Sequence, residues 1–179
     1  MSEENKNSDK ETFDKMFDKV LEIAKVSYDQ ENDRSKQLLN KSDYLIKYIS
    51  TITIFVNIFL PLAFTNKVID LKILIVMYVI ISVPLILSLF FSIRAQILKP
   101  GKFFPTGKTV LQEIKKNKND LNSALKIKNR FILYYSSSTE ELQSSNDDRA
   151  RILKFAYKQY IYSILILVIV VFVIMILIA

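Results

Sequence analysis

The sequence contains no cysteine, no histidine and no tryptophan. The absence of cysteine excludes disulfides and thiolate nucleophiles, and the absence of both cysteine and histidine excludes the usual catalytic triads and most zinc or haem sites. Carboxylates remain, but none lies inside the long apolar runs and none belongs to a recognisable cation-binding loop. We therefore expect no catalytic residue, no metal and no cofactor, in a protein that is not an enzyme.

Glycine is nearly absent as well, and both glycines, Gly101 and Gly107, lie in the stretch PGKFFPTGKT. The stretch ends like a phosphate-binding P-loop, but five residues separate its glycines where that motif needs four. Pro105 also removes one of the N–H groups that would hold phosphate. The pattern instead predicts a turn followed by a helix, because Thr109 and Gln112 fit a capping box.

Three long apolar runs, at residues 44–64, 71–93 and 159–179, contain almost no charged side chain. Each is about long enough to cross the ~30 Å hydrocarbon layer as a helix. Soluble proteins of this size do not carry three such runs. The sequence therefore predicts an all-α integral membrane protein with three transmembrane helices, and the third run, apolar on every side, is expected to face lipid and anchor the assembly.

Residues 1–43 are polar, yet apolar residues recur there at steps of three and four, which is typical of an amphipathic helix. No proline interrupts the chain before Pro61, so one cytoplasmic helix is predicted to run from about Thr12 into the first span. Its stripe must pack against the 94–158 region or against the same stripe in another copy, and we expect both. The oligomerisation residues would be Phe13, Phe17, Leu21 and Tyr28.

Residues 94–158 form a basic region with 14 Lys/Arg against 6 Asp/Glu. The positive-inside rule assigns this region to the cytoplasm, and three spans then leave the N-terminus inside and the C-terminus outside a bacterial inner membrane. Its pattern predicts a cytoplasmic domain of helices, one over residues 109–135, a break at 136–139 and a new helix from Thr139.

The basic region has two interpretations that the sequence leaves open. Its cations are either a solvated surface attracted to anionic lipid headgroups, or a site for an anionic ligand such as a nucleotide or oligonucleotide. In the second interpretation five residues would contact phosphate: Lys102, Lys108, Arg149, Arg151 and Lys154.

Polar residues also occur inside the first apolar run. Ser50, Thr53 and Asn57, together with Pro61, fall within an arc of roughly 80° at 100° per residue. An amide near the middle of a membrane is costly unless it finds a partner. These side chains would therefore line a water-filled pore, or they would only hydrogen-bond a neighbouring helix.

Three segments resemble small bacterial membrane effectors of anti-phage defence, namely the Pycsar membrane effectors and the SLATT-type effectors, which include the membrane partner of Hailong nucleotidyltransferase systems. The first, ENDRSKQLLNKSDYLI, has an acidic residue, an Arg, a Leu and a Lys before the first span, here Glu31, Arg34, Leu38 and Lys41. The second is SIRAQILKPGKFFP and the third is NDDRARILKFAY. Three predicted spans differ from the two- and four-span versions of these effectors.

The resemblance implies a homo-oligomer, for which we expect a tetramer, that forms or gates a pore in the lipid bilayer. A nucleotide or oligonucleotide, made by a cognate nucleotidyltransferase, would control the pore, and depolarisation would halt the infected cell. The alternative is a non-conducting scaffold that docks a soluble partner through its N-terminal helix.

Overall fold

A computed structural model of the chain describes residues 3–65, 70–98 and 121–178. These residues form three α-helices and no strand: α1 spans Glu3–Thr65, α2 spans Leu71–Ile97 and α3 spans Leu121–Ile178. The predicted all-α class is confirmed for this part of the chain. The predicted helix start at Thr109 lies outside the described residues.

The prediction of one uninterrupted helix from the polar N-terminal region into the first apolar run is confirmed by α1. It begins at Glu3, earlier than the predicted Thr12, and includes Pro61 near its end. No glycine occurs before residue 101, so no glycine weakens α1.

The predicted break at residues 136–139 is wrong, because α3 runs through it without interruption. Clusters of serine and threonine favour turns when their hydroxyl groups compete for backbone partners. Here the Oγ1 atom of Thr139 donates to the carbonyl oxygen of Tyr135, one helical turn earlier, at 2.6 Å. Because the hydroxyl group has its hydrogen-bond partner within the helix, it does not compete for the backbone groups of a turn.

Both ends of α2 have identifiable caps. At the start, the Asp70 side chain accepts a hydrogen bond from the backbone N–H of Lys72 at 3.1 Å, as an N-cap residue does. At the other end, the N–H of Leu98 donates to the carbonyl oxygen of Arg94 at 3.3 Å. The predicted span 71–93 lies entirely between these caps.

Two helices of the described residues are long and apolar enough to cross a membrane. They are Leu71–Ile97, with a mean hydropathy of 2.8, and Leu125–Ile176, with a mean hydropathy of 2.7 in its apolar part. Only 17% and 22% of these apolar windows are buried within the chain, unlike the core helix of a soluble protein. The first predicted span, 44–64, lies in α1 and is not one of the two, so the count of three spans stays a prediction.

The chain divides into two compact units. Of the described residues, 3–36 and 121–146 belong to the first unit, and 37–65, 70–98 and 147–178 belong to the second. All three helices contribute to the core of the second unit. The core side chains are separated by three or four residues or by sums of these steps, a spacing typical of coiled-coil packing. They are Leu45, Ile49 and Val56 in α1, Ile81 and Leu85 in α2, and Ala156, Leu167, Val170 and Ile174 in α3.

Serines also occur where the three helices of this core meet, a contact that we call the seam, and Ser42, Ser88 and Ser92 are fully buried there. The hydroxyl group of Ser42 in α1 donates to the carbonyl oxygen of Ser92 in α2 at 2.8 Å, and that of Ser88 in α2 donates to the carbonyl oxygen of Ala156 in α3 at 2.8 Å. Small side chains allow helix backbones to approach closely, and each hydroxyl group then joins two helices.

Within their apolar segments, the three helices also have exposed apolar faces. In α3, Leu167, Val170 and Ile174 are buried in the seam, whereas Leu165, Ile169 and Phe172 are each more than half exposed. The third apolar run thus has one face packed in the core and another exposed, and its predicted contact with lipid stays a prediction.

Candidate functional site

The predicted polar face of α1 is exposed. The hydroxyl groups of Ser50 and Thr53 donate to carbonyl oxygens one turn earlier, at 2.9 and 2.8 Å, and the Nδ2 atom of Asn57 donates to the carbonyl oxygen of Thr53 at 2.9 Å. All three side chains are exposed on the same helix. These bonds to the helix's own backbone reduce the cost of polar groups in an apolar segment without removing their polarity.

Asn57 also makes a hydrogen bond to a neighbouring helix. The phenol of Tyr78 in α2 donates to the Oδ1 atom of Asn57 at 2.9 Å. A hydrogen bond between helices was one of the two roles that the sequence left open for Asn57, and here the partner belongs to the same chain. An amide has two N–H donors, and the Thr53 carbonyl takes one of them among the residues that the structure describes.

A groove of about 190 Å³ lies between α1 and α2 beside this hydrogen bond. Its polar wall is formed by Thr53, Asn57, Tyr78 and Ser82, and the rest of its lining is aliphatic. The groove is open on one side and large enough for several water molecules. The sequence shows polar residues in both spans, Tyr78 and Ser82 in the second, but does not show that Tyr78, which is 39% exposed, pairs with Asn57.

Arg149 is the largest fully buried side chain of the described residues, at 1% exposed. Its Nε atom donates to the carbonyl oxygen of Ala95 at 2.9 Å, and one of its terminal nitrogens, NH2, donates to that of Leu98 at 2.8 Å. The two oxygens belong to the last turn of α2 and to its C-cap residue, where carbonyl groups have no partner within the helix and a cation is favoured. Burial lowers the pKa of the guanidinium, which nevertheless stays protonated.

Arg149 therefore caps a helix, a role that the sequence analysis missed. The other predicted phosphate residues differ from it in environment. Arg151 is exposed and pairs with Asp148 at 3.8 Å, and Lys154 is exposed. Lys102 and Lys108 lie outside the described residues. The structure therefore describes three of the five predicted phosphate residues. Arg151 and Lys154 are exposed, whereas Arg149 is buried and does not share their surface.

The first unit contains a second buried polar contact. The Nδ2 atom of Asn146 in α3 donates to the backbone oxygen of Glu31 in α1 at 2.8 Å and to its carboxylate at 2.9 Å. Arg34 pairs with the same carboxylate at 3.4 Å, and Asn146 is fully buried. Two segments that carry the resemblance, around residues 31 and 146, are thus in direct contact.

The predicted oligomerisation residues lie partly inside the first unit. Phe17, Leu21 and Tyr28 are half-buried, and Tyr28 packs edge-on against Tyr135 of α3 with ring centroids 5.8 Å apart. The side chain of Phe13 is outside the described set. This stripe was expected to pack both within the chain and between copies, and Tyr28 has a partner within the chain.

Beside this stripe a second apolar row on α1 is exposed, and of its three members Val20 belonged to the predicted amphipathic pattern. Met16, Val20 and Ile23, with exposed fractions of 57%, 41% and 60%, follow one another at steps of four and three residues.

No group of histidine, cysteine or carboxylate residues that could hold a metal ion occurs in the described part of the chain. No protein-family model, curated protein or solved structure matches the chain. A functional proposal therefore rests on the geometry of the chain itself and on the resemblance carried by the three segments around residues 31–46, 92–105 and 146–157.

Proposed function

We propose that this chain is a homo-oligomeric membrane protein that forms or gates a pore. The observation that carries the proposal is the exposed polar wall within otherwise apolar helices: Thr53 and Asn57 on α1, facing Tyr78 on α2 beside an open groove. A polar wall turned toward lipid is unfavourable. Turned toward a shared axis between copies, the same wall would line a path for water and ions.

The biological setting of the proposal comes from the resemblance. The chain would be an effector of bacterial anti-phage defence in the inner membrane, opened or released by a nucleotide or oligonucleotide signal. The basic region 94–158 would receive that signal on the cytoplasmic side. The support from this region is its net positive charge, with 14 Lys/Arg against 6 Asp/Glu.

Ion flux through vesicles tests the proposal. Purified protein is reconstituted into vesicles loaded with a potassium-sensitive dye, with and without nucleoside triphosphates and short oligonucleotides. We expect flux from the wild type under at least one of these conditions, and a reduction of about tenfold or more for Asn57→Leu, because a bulky apolar side chain dehydrates a narrow path. The matched control is Ile58→Leu, which places the same leucine at the neighbouring position, where Ile58 is 59% exposed.

The outcome separates a pore from other roles. Flux that is absent under every condition, or that is equal in the wild type and Asn57→Leu, would remove the pore proposal. Native mass spectrometry in detergent gives the stoichiometry independently. A closed ring of copies supports a pore, whereas a monomer contradicts one because three helices do not enclose a useful channel.

The exposed row of Met16, Val20 and Ile23 favours a second candidate, a scaffold that docks a soluble partner. Exposed apolar rows of this kind are typical of helix-in-groove recognition. Affinity capture with wild type, Ile23→Asp and the control Lys25→Asp distinguishes the two candidates. If the chain is a scaffold, a captured partner should be lost with Ile23→Asp and retained with Lys25→Asp. The vesicle assay should then show no ion flux for the wild type.

A further inference from the structure

Two tyrosine–lysine pairs lie near the start of the apolar segments of α1 and α3. The Nζ atom of Lys47 is 5.7 Å from the ring centroid of Tyr44, and the Nζ atom of Lys158 is 5.7 Å from that of Tyr162. Both distances are within the range of cation–π contacts. Tyrosine is concentrated where a bilayer meets water, and lysine extends its ammonium group to the same level.

The two pairs lie at similar depth within the second unit. The phenol of Tyr157 in α3 donates to the carbonyl oxygen of Lys41 in α1 at 3.3 Å, and Phe55 in α1 shares a groove with Leu167 to Met175 in α3. These two contacts give α1 and α3 the same direction and a constant register. Counting from Tyr157, the tyrosines on both helices therefore form one belt: Tyr44, Tyr48, Tyr160 and Tyr162.

Three cations continue the same face of α3 beyond this belt. Arg151, Lys154 and Lys158 are exposed, and at 100° per residue they fall within an arc of roughly 60°. On the other side of the belt the face is apolar, with Leu165, Ile169, Phe172 and Ile176 all more than half exposed. The face thus changes from hydrocarbon to aromatic to cationic along one helix.

The spacing of the cations matches the headgroup layer of a bilayer. Arg151 and Lys158 are seven residues apart, which is about 10 Å along a helix. The polar layer on each side of a bilayer is of similar depth, about 5–8 Å. Asp148, which pairs with Arg151 at 3.8 Å, is the acidic side chain of α3 nearest to the two lysines.

We propose that Arg151, Lys154 and Lys158 bind the phosphate groups of anionic phospholipids, with the tyrosine belt holding them at the membrane surface. A free nucleotide offers the same phosphate chemistry, but small-molecule sites are concave and these cations lie along an exposed helix face. The charge and the adjoining apolar face both match a lipid. This proposal does not depend on the chain being a pore.

Lipid selectivity tests the proposal with the full-length protein. Spin-labelled phosphatidylglycerol and spin-labelled phosphatidylcholine are compared for their fraction immobilised on the protein in mixed vesicles. The variant Arg151→Gln, Lys154→Gln and Lys158→Gln removes the cationic face. The control Lys19→Gln, Lys25→Gln and Lys126→Gln removes the same charge from exposed lysines of the first unit.

We expect the wild type and the control to prefer phosphatidylglycerol by about fivefold or more, because even one cation near an anionic surface supplies an attraction of this size. The cationic-face variant should lose most of this preference. No preference in the wild type, or equal loss in both variants, would overturn the proposal. Displacement of spin-labelled phosphatidylglycerol by millimolar nucleoside triphosphate would also overturn it and would assign the phosphate contacts to a nucleotide.

Discussion

The guanidinium of Arg149 lies 2.9 Å from the carbonyl oxygen of Ala95, and this contact joins α3 to the last turn of α2. A second donor from the same side chain reaches Leu98 at 2.8 Å. Buried cations are stable only when their hydrogen bonds are made. The contact therefore fixes where α2 ends against α3 within the second unit.

Replacing this arginine is expected to destabilise the second unit. In Arg149→Met the carbonyl oxygens of Ala95 and Leu98 lose their charged donor, and hydrogen bonds to charged groups contribute about 1.5–3 kcal/mol each. We expect a loss of about 3 kcal/mol in the free energy of unfolding, measured by denaturant titration in detergent micelles. The exposed Arg151→Met serves as control and should change this energy by less than about 0.5 kcal/mol. Equal effects in the two variants would show that the cap is not needed.

Asn146 gives a corresponding prediction for the first unit. Asn146→Ala removes the donor to both the backbone and the carboxylate of Glu31 and leaves a partly buried carboxylate with less support. A cost of about 1–3 kcal/mol is expected for such a loss. In limited proteolysis, residues 121–146 should be cut faster in Asn146→Ala than in Gln143→Ala, which changes an exposed residue about one turn away and serves as control. An unchanged cleavage rate would contradict this role of Asn146.

The serine seam predicts a strong dependence on side-chain size. Ser88→Ala removes the hydroxyl group that donates to Ala156 and should cost about 1 kcal/mol, since the carbonyl oxygen keeps its helical partner. Ser88→Leu places extra volume where the helices touch and should cost about 3 kcal/mol. Thermal unfolding in detergent, followed by circular dichroism, measures both. Similar midpoints for the two variants would mean that α2 and α3 are not closely packed at this position.

The tyrosine phenol at the groove gives a prediction that separates stability from conduction. Tyr78→Phe keeps the ring but removes the donor to Asn57, which costs only about 1 kcal/mol of stability. The amide oxygen is then without this partner in a narrow polar groove. We expect the variant to fold normally and to change single-channel conductance, measured in planar bilayers. A conductance identical to the wild type would place Tyr78 away from the ion path.

The helical class and the continuity of α1 were predictable because long apolar runs and the absence of early glycine leave few alternatives. The break at residues 136–139 was predicted wrongly since composition does not reveal that Thr139 bonds within its own helix. Arg149 was predicted to face a ligand because charge alone does not distinguish an exposed cation from one that caps a distant helix. The partner of Asn57 depends on the packing of α2 against α1, and no spacing in the sequence encodes that register.

The absence of cysteine permits the most direct test of the pore. Thr53→Cys and Ile54→Cys each introduce a single thiol at adjacent positions, one on the polar wall and one on a side chain that is 61% exposed on the apolar face. A charged, water-soluble thiosulfonate is applied during current recording, and thiolates react only where water reaches them. The proposal predicts rapid modification and loss of current for Thr53→Cys and no reaction for Ile54→Cys. Equal behaviour of the two variants would contradict a water-filled path along this face of α1.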